Sequence, residues 1–180
     1  MMQKEELVTE IDDKERETGG GESTEQSGAE QNRQPEEPVM ELMGFRLGQE
    51  EYAVDIMALQ EITPVFELTP IPRAPDYVLG ILSLRGTIIP IFDPKRRIGL
   101  PETGRTDKAR IIVLRSGEDE VGLLVDSITS AARVPLRSIE PTPPVIKGIE
   151  ADYINGVGKV GERVIIIMNM DAIIHIVGMQ

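Results

Sequence analysis

From Val39 onward the chain is written in short segments of alternating or continuous Val, Ile and Leu, broken about every eight to twelve residues by Gly, Pro or acidic turns. That punctuation predicts a mainly β protein, a small antiparallel barrel or sandwich with few helical segments. Residues 41–47, a polar turn at 48–51 and a returning run at 52–54 predict a hairpin. Ile56, Leu59 and Ile62 then recur at a spacing of three, which predicts one or two helical turns stopped by Pro64.

The pattern repeats. Tyr77 and Gly80, followed by the apolar run 86–93, are echoed by Tyr153 and Gly156, followed by 161–171; the Tyr and the Gly each recur after 76 positions. Upstream, residues 48–55 and 117–126 match loosely, each a polar turn entering a strand that ends in Asp. The echo predicts two halves, each a small barrel. Chains that short bury too little surface to stand alone comfortably, so the halves are expected to share one core.

Residues 1–38 break the pattern. Only six of them are apolar, and Glu, Gly, Ser and Gln predominate. Such a segment buries too little apolar surface to offset its chain entropy, and it is expected to be a disordered acidic tail. It carries 12 acids and 4 bases, or -8 of the chain's -12, which leaves the body nearly balanced at -4. The domain is therefore expected over 39–177.

Charge and composition remove several function classes. The acidic balance argues against a nucleic-acid binder working through its global field. With no Trp and 3% aromatic residues there is no stacking platform for bases or sugars. With no Cys there is no disulfide, thiolate nucleophile or Cys-ligated zinc, and a lone His leaves most imidazole chemistry without parts. The start of the chain lacks a cationic stretch followed by an apolar one, and the run 164–177 is interrupted by Asn169, Asp171 and His175. The expectation is a soluble, cytoplasmic protein without membrane insertion.

Five features deserve a chemical reading. Gly156, Gly158 and Gly161 satisfy the dinucleotide spacing G-x-G-x-x-G, but the β-branched residues 163–167 follow where a helix would have to face the pyrophosphate, so a hairpin is expected. Asp55, Asp93, Asp126 and Asp171 each end a predicted strand, where Asp usually caps a turn. His175 is expected to be a partly buried packing residue. Lys95, Arg96 and Arg97 form a basic knot too short to track a phosphate backbone, and a solvated loop is the simplest reading. Arg85 interrupts the apolar stretch 81–89, where its guanidinium must reach solvent, meet a carboxylate or serve a partner. No enzyme signature survives, and a binding module is expected.

Several ordered motifs resemble one family: FRLGQEEYAVDI at 45–56, LQEI at 59–62, IPRAPDYVLG at 71–80, LRGTIIPIFD at 84–93, VGLLVDS at 121–127 and YINGV at 153–157. Together, over about residues 40–177, they are similar to the CheW family of bacterial chemotaxis coupling proteins. Pro94 and Ser83 depart from the pattern, where the family more usually has Leu and Asn. The resemblance implies two packed five-stranded SH3-like β-barrel subdomains, intertwined along the chain. It also implies a noncatalytic adaptor without cofactor or metal that couples methyl-accepting chemoreceptors to the chemotaxis histidine kinase, at receptor arrays on the inner membrane. In such proteins the receptor tip sits in the groove between barrels and the kinase regulatory domain meets barrel ends. Matched position by position, Glu61, Ile62, Gly80, Arg85, Val125, Asp126 and Ser127 would lie near that groove. A non-flagellar pathway controlling pili or gene expression stays open, as does, less directly, a small-molecule-binding barrel.

Overall fold

The computed structural model describes residues 37–142 and 151–175. Of the expected acidic tail only Glu37 and Pro38 fall among the described residues, and positions 176–177 of the expected domain lie outside them. Eleven strands are described: β1 (Val39–Leu47), β2 (Glu50–Asp55), β3 (Leu59–Pro64), β4 (Val78–Leu84), β5 (Thr87–Phe92), β6 (Arg110–Ser116), β7 (Asp119–Val125), β8 (Ser127–Pro135), β9 (Ile139–Glu140), β10 (Ile154–Val160) and β11 (Arg163–Met168). Two short helices follow the second hairpin of each half, α1 (Pro94–Arg97) and α2 (Met170–Ile174).

The expected helical turns at 56–62 shrink to a 3-10 turn, Ile56–Ala58, because Leu59–Pro64 extends to pair antiparallel with β6. Three apolar residues at a spacing of three are too few to hold a helix when an open strand edge offers a full hydrogen-bond ladder.

The strands form two sheets, ordered β8-β1-β2-β11-β10-β9 and β3-β6-β7-β5-β4. In the first, β8 and β9 are consecutive pieces of chain separated by the 3-10 turn Leu136–Ser138, so the two ends of the sheet are one bent strand and the sheet closes. The sixth strand is thus a two-residue continuation of the fifth. In the second sheet the chain leaving β3 returns to β4 through the bridge Thr69↔Ile81. In each barrel the one parallel pairing described is β2 with β11, or β7 with β5.

The halves do not form a barrel each. β1 and β2 of the first half join β8 to β11 of the second, while β3 to β5 join β6 and β7. The chain passes from β2 through the 3-10 turn into the other barrel, and from β7 through Asp126 back into the first. Each barrel is therefore completed by a strand that belongs, in sequence, to the hairpin of the other. The exchange leaves neither half with a closed sheet of its own, which ties the two into one folding unit.

Glycine is required where each closing segment crosses. Gly80 has φ +146°, and a Cβ there would stand 2.5 Å from the Thr69 carbonyl oxygen. At Gly156, 76 positions later, a Cβ would stand 2.9 Å from Glu140 O. Both lie at a register irregularity in the hairpin, so the repeat seen in the sequence marks equivalent points of barrel closure.

The continuous apolar runs have a simple cause: both faces of these strands are covered. Ile165 and Ile167 point into the first barrel with Leu42, Ala53 and Val134, while Ile166 and Met168 point into a core shared between barrels. On β6, Ile111 and Val113 fill the second barrel with Ile89 and Ile91, and Ile112 and Leu114 face the shared core. That shared core also holds Phe45, Tyr52, Tyr77, Phe92 and Leu123. The expected single core is present, with a smaller apolar interior on each side of it.

Candidate functional site

The seven residues expected at a partner surface fall into three environments. Ile62 on β3 and Ser127 on β8 come together in an open groove of about 320 Å³, lined also by Lys108, Arg110 and Ile128. β3 and β8 are the exchanged strands, so the groove runs where the chain crosses between barrels. It is legible as a site only in three dimensions, because 65 positions separate Ile62 from Ser127.

Glu61 points to the other face of β3. Its Oε2 lies 3.0 Å from Arg85 Nη2. Arg85 stands in the β4–β5 turn: with φ 51° at Arg85 and φ 85° at Gly86, the pair adopts the left-handed conformations of a tight hairpin. The apolar stretch around Arg85 is thus two strands and their turn, and the guanidinium reaches solvent and meets a carboxylate at once. With its side chain 80% exposed it gains little stability from the pair, which leaves an oriented cation on the surface.

The other three positions are structural in placement. Gly80 is buried at barrel closure, and Val125 is fully buried in the shared core. Asp126, at the crossover from β7 to β8, is held from three sides. Gly48 N–H donates to its Oδ2 at 2.7 Å, Lys95 Nζ to its Oδ1 at 2.5 Å and Thr103 Oγ1 to its Oδ2 at 3.3 Å. Asp126 N–H donates to Arg46 O at 3.0 Å. Lys95 is itself buried and has Thr103 Oγ1 as a second acceptor at 2.9 Å. This charge-assisted network fixes the start of β8, and with it the groove wall at Ser127 and Ile128.

The basic knot at 95–97 is not a solvated loop. Asp93 caps α1, accepting from Lys95 N–H at 2.9 Å, and Pro94 occupies the first helical position, where its missing N–H costs nothing. The helix turns Lys95 inward to Asp126, Arg96 to Glu102 at 2.9 Å, and Arg97 to the space between the second hairpins of the two halves. There the Arg97 guanidinium lies 4.3 Å from the Tyr77 ring centroid and 5.2 Å from that of Tyr153, the two repeated tyrosines. It also donates to His175 O at 2.8 Å and Ala172 O at 3.3 Å, satisfying the C-terminal carbonyls of α2. Sequence reasoning missed Lys95 and Arg97, although Asp93-Pro94 is a helix-start signal that would have taken them out of a loop.

A second buried charge closes the first barrel. Glu51 accepts from Thr129 Oγ1 at 2.6 Å and from Arg163 Nε at 3.1 Å, with a further ion pair to Arg163 Nη2. The Arg163 hydrogen bonds hold the Glu51 carboxyl below the ordinary Glu range against the opposing effect of burial. Burial pushes the Tyr52 phenol well up, and its hydroxyl has no partner among the described residues.

The remaining features fall mostly as expected. Gly156 and Gly158 lie on β10 and Gly161 in the turn to β11, with no helix following, so the glycine spacing is a hairpin. Asp55 caps the 3-10 turn through Met57 N–H at 2.8 Å. Asp171 does not cap: Asn169, which stands 76 positions after Asp93, caps α2 instead, and Asp171 is exposed two residues further on, in the first turn of the helix. His175 is exposed at the end of α2 and not packed; it is Ile173, with Met170 and Ile174 partly buried beside it, that α2 sets against the shared core. Among the described residues no group of three His, Cys, Asp or Glu is placed to hold a metal, and no helix is long and apolar enough to cross a membrane.

Two strand-exchanged SH3-like barrels with a groove at the crossover define a β scaffold whose charged groups hold chain segments together. A family model for the CheW-like domain matches residues 41–177. The chain is 38% identical over 133 residues to a chemotaxis protein CheW of Rhizobium meliloti, covering 74% of this chain and 86% of that one. It is 34% identical to a probable chemotaxis protein CheW of Rhizobium etli, with the same coverage. The crystal structure of the scaffolding protein TtCheW from Thermoanaerobacter tengcongensis superposes with a TM-score of 0.74 at 32% identity, covering 79% of this chain and 97% of that one. The chain belongs to the CheW-like family of chemotaxis coupling proteins.

Proposed function

We propose that this protein is a noncatalytic adaptor that couples methyl-accepting chemoreceptors to the chemotaxis histidine kinase, using the groove at Ile62 and Ser127 for the receptor tip and other barrel surfaces for the kinase regulatory domain. The observation that carries this is the crossover groove, a concave surface with an apolar floor, built from the two strands that tie the barrels together. Two separate surfaces on one rigid unit raise the effective concentration of one partner for the other, which is what coupling requires. The adaptor works in the cytoplasm, at receptor arrays on the inner membrane, without cofactor and without itself entering the bilayer.

The Arg85–Glu61 pair supplies the test. Arg85→Glu sets two carboxylates against each other on an exposed turn, which the fold tolerates, and reverses the charge offered to a partner. We expect unchanged circular dichroism, unchanged capture of the kinase regulatory domain, and a loss of receptor-dependent kinase activation in receptor-containing membranes. Full activation by the variant would remove Arg85 from the functional surface.

A further inference from the structure

We propose that the crossover groove selects a receptor segment that pairs apolar residues with an acidic flank, and that Lys108 and Arg110 are its specificity determinants. This rests on the reading of the groove as the receptor site and adds the chemistry of what it takes.

The observation is how the charges of the body are spent. Among the described residues, Arg85, Lys95, Arg96, Arg133, Arg137 and Arg163 each have a carboxylate partner. Lys108 and Arg110, which line the groove, have none among the described residues, and share that with Arg46, Arg73, Arg97, Arg105, Arg115 and Lys159 elsewhere on the body. Arg110 donates only to the carbonyl oxygens of Asp107 and Ala109, at 3.0 and 2.7 Å. Those bonds fix the direction of its guanidinium while leaving its charge uncompensated. Arg46, which stands opposite Ser127 in the ladder, donates to the Gln49 carbonyl at 3.0 Å and faces Glu51 across the β1–β2 hairpin.

The nearby acids do not neutralise this rim. Asp126 is taken by Lys95, and Glu102 by Arg96. Asp107 has no cation partner among the described residues, and its backbone carbonyl accepts from Arg110. The groove therefore sets two cations without a carboxylate partner among the described residues beside the apolar floor of Ile62 and Ile128, on a body that carries -4 overall. A partner with apolar residues for the floor and carboxylates for the rim satisfies both. Charges on such a rim act mainly on encounter rate and salt dependence, while the apolar floor sets the residence time.

The test measures binding of the full chain to the cytoplasmic signalling domain of a chemoreceptor from the same genome, at about 50 mM and about 500 mM NaCl, where screening differs severalfold. Wild type should weaken roughly tenfold at the higher salt. Lys108→Glu with Arg110→Glu should weaken low-salt binding at least as much and flatten or invert the salt dependence, with Lys108→Gln and Arg110→Gln intermediate. A receptor variant with a flanking Glu changed to Lys should recover binding to the reversed protein. Equal affinity and equal salt response for wild type and both double variants, all folded by circular dichroism, would overturn the proposal. Ile62→Asp separates the two levels: binding weakened by a similar factor at both salts, with the salt dependence kept, supports the groove as the site. Receptor binding untouched by Ile62→Asp removes the groove reading itself, and the specificity proposal with it.

Discussion

The two barrels share a plan and differ at their seams. In the first, the parallel contact of β2 with β11 is short, and beyond it Glu51 and Arg163 bridge the two strands with help from Thr129 and Ser130. In the second, the equivalent positions are Glu120 and Thr87, and no ion pair joins them among the described residues. The seam there stays open as a groove of about 820 Å³, with Ile88 66% exposed on its flank. The helices differ in the same way: α1 carries Lys95 and Arg97 where α2 carries Asp171 and Ile173. One backbone plan occurs twice, with an ion pair across the seam of one copy and an open groove along the seam of the other. A buried ion pair in such a place favours a single closed geometry, at the risk of a large penalty when either partner is lost.

That asymmetry is open to direct attack. The largest effect is expected at the helices. Lys95→Met leaves the Asp126 carboxylate without its cation, and should lower stability by about 3 to 5 kcal/mol in urea unfolding. Asp171→Ala at the equivalent position on α2 should stay within about 0.5 kcal/mol, since Asp171 is exposed. Equal costs at the two sites would break the comparison.

The seams come next. Arg163→Met strands Glu51 in a buried position, for about 2 kcal/mol, less than at Lys95 because Arg163 is partly solvated. Thr87→Val in the open seam should cost less than about 0.5 kcal/mol by the same measurement. A smaller and pH-dependent effect sharpens the point. The folded-state pKa of Glu51 lies below its unfolded value near 4.3, so its contribution is fully present above that value and is lost as pH falls through the folded pKa. Wild type should therefore lose stability more steeply on acidification below about pH 4.5 than Glu51→Gln, in which that titration is gone. Parallel pH profiles would show that the Glu51 seal contributes nothing.

Much of this was legible along the chain, and the reason is locality. Hairpins are made by neighbours, so the turns at Gly48, Gly117 and Gly161 and the strands beside them can be read from alternation and turn residues. The recurrence of Tyr77 and Gly80 at Tyr153 and Gly156 marked the duplication, and the motif order marked the family. Arg85 was singled out because a lone cation in an apolar run needs an explanation, and the carboxylate it meets is one of the three outcomes that the same physics left open.

Only the tertiary structure decided which strand closes which barrel. β3 and β8 have the same ladder groups to offer either sheet, and their exchange depends on contacts far apart in sequence. The fate of the basic knot was decided in the same way: one turn of helix sends Lys95 to an Asp 31 positions away and Arg97 to a helix end 75 or more positions away. A sequence carries the identity of each charge. Whether that charge becomes a buried clasp, like Lys95, or an unspent cation on a groove, like Lys108, depends on where the fold brings its counter-charge and how much water it leaves between them.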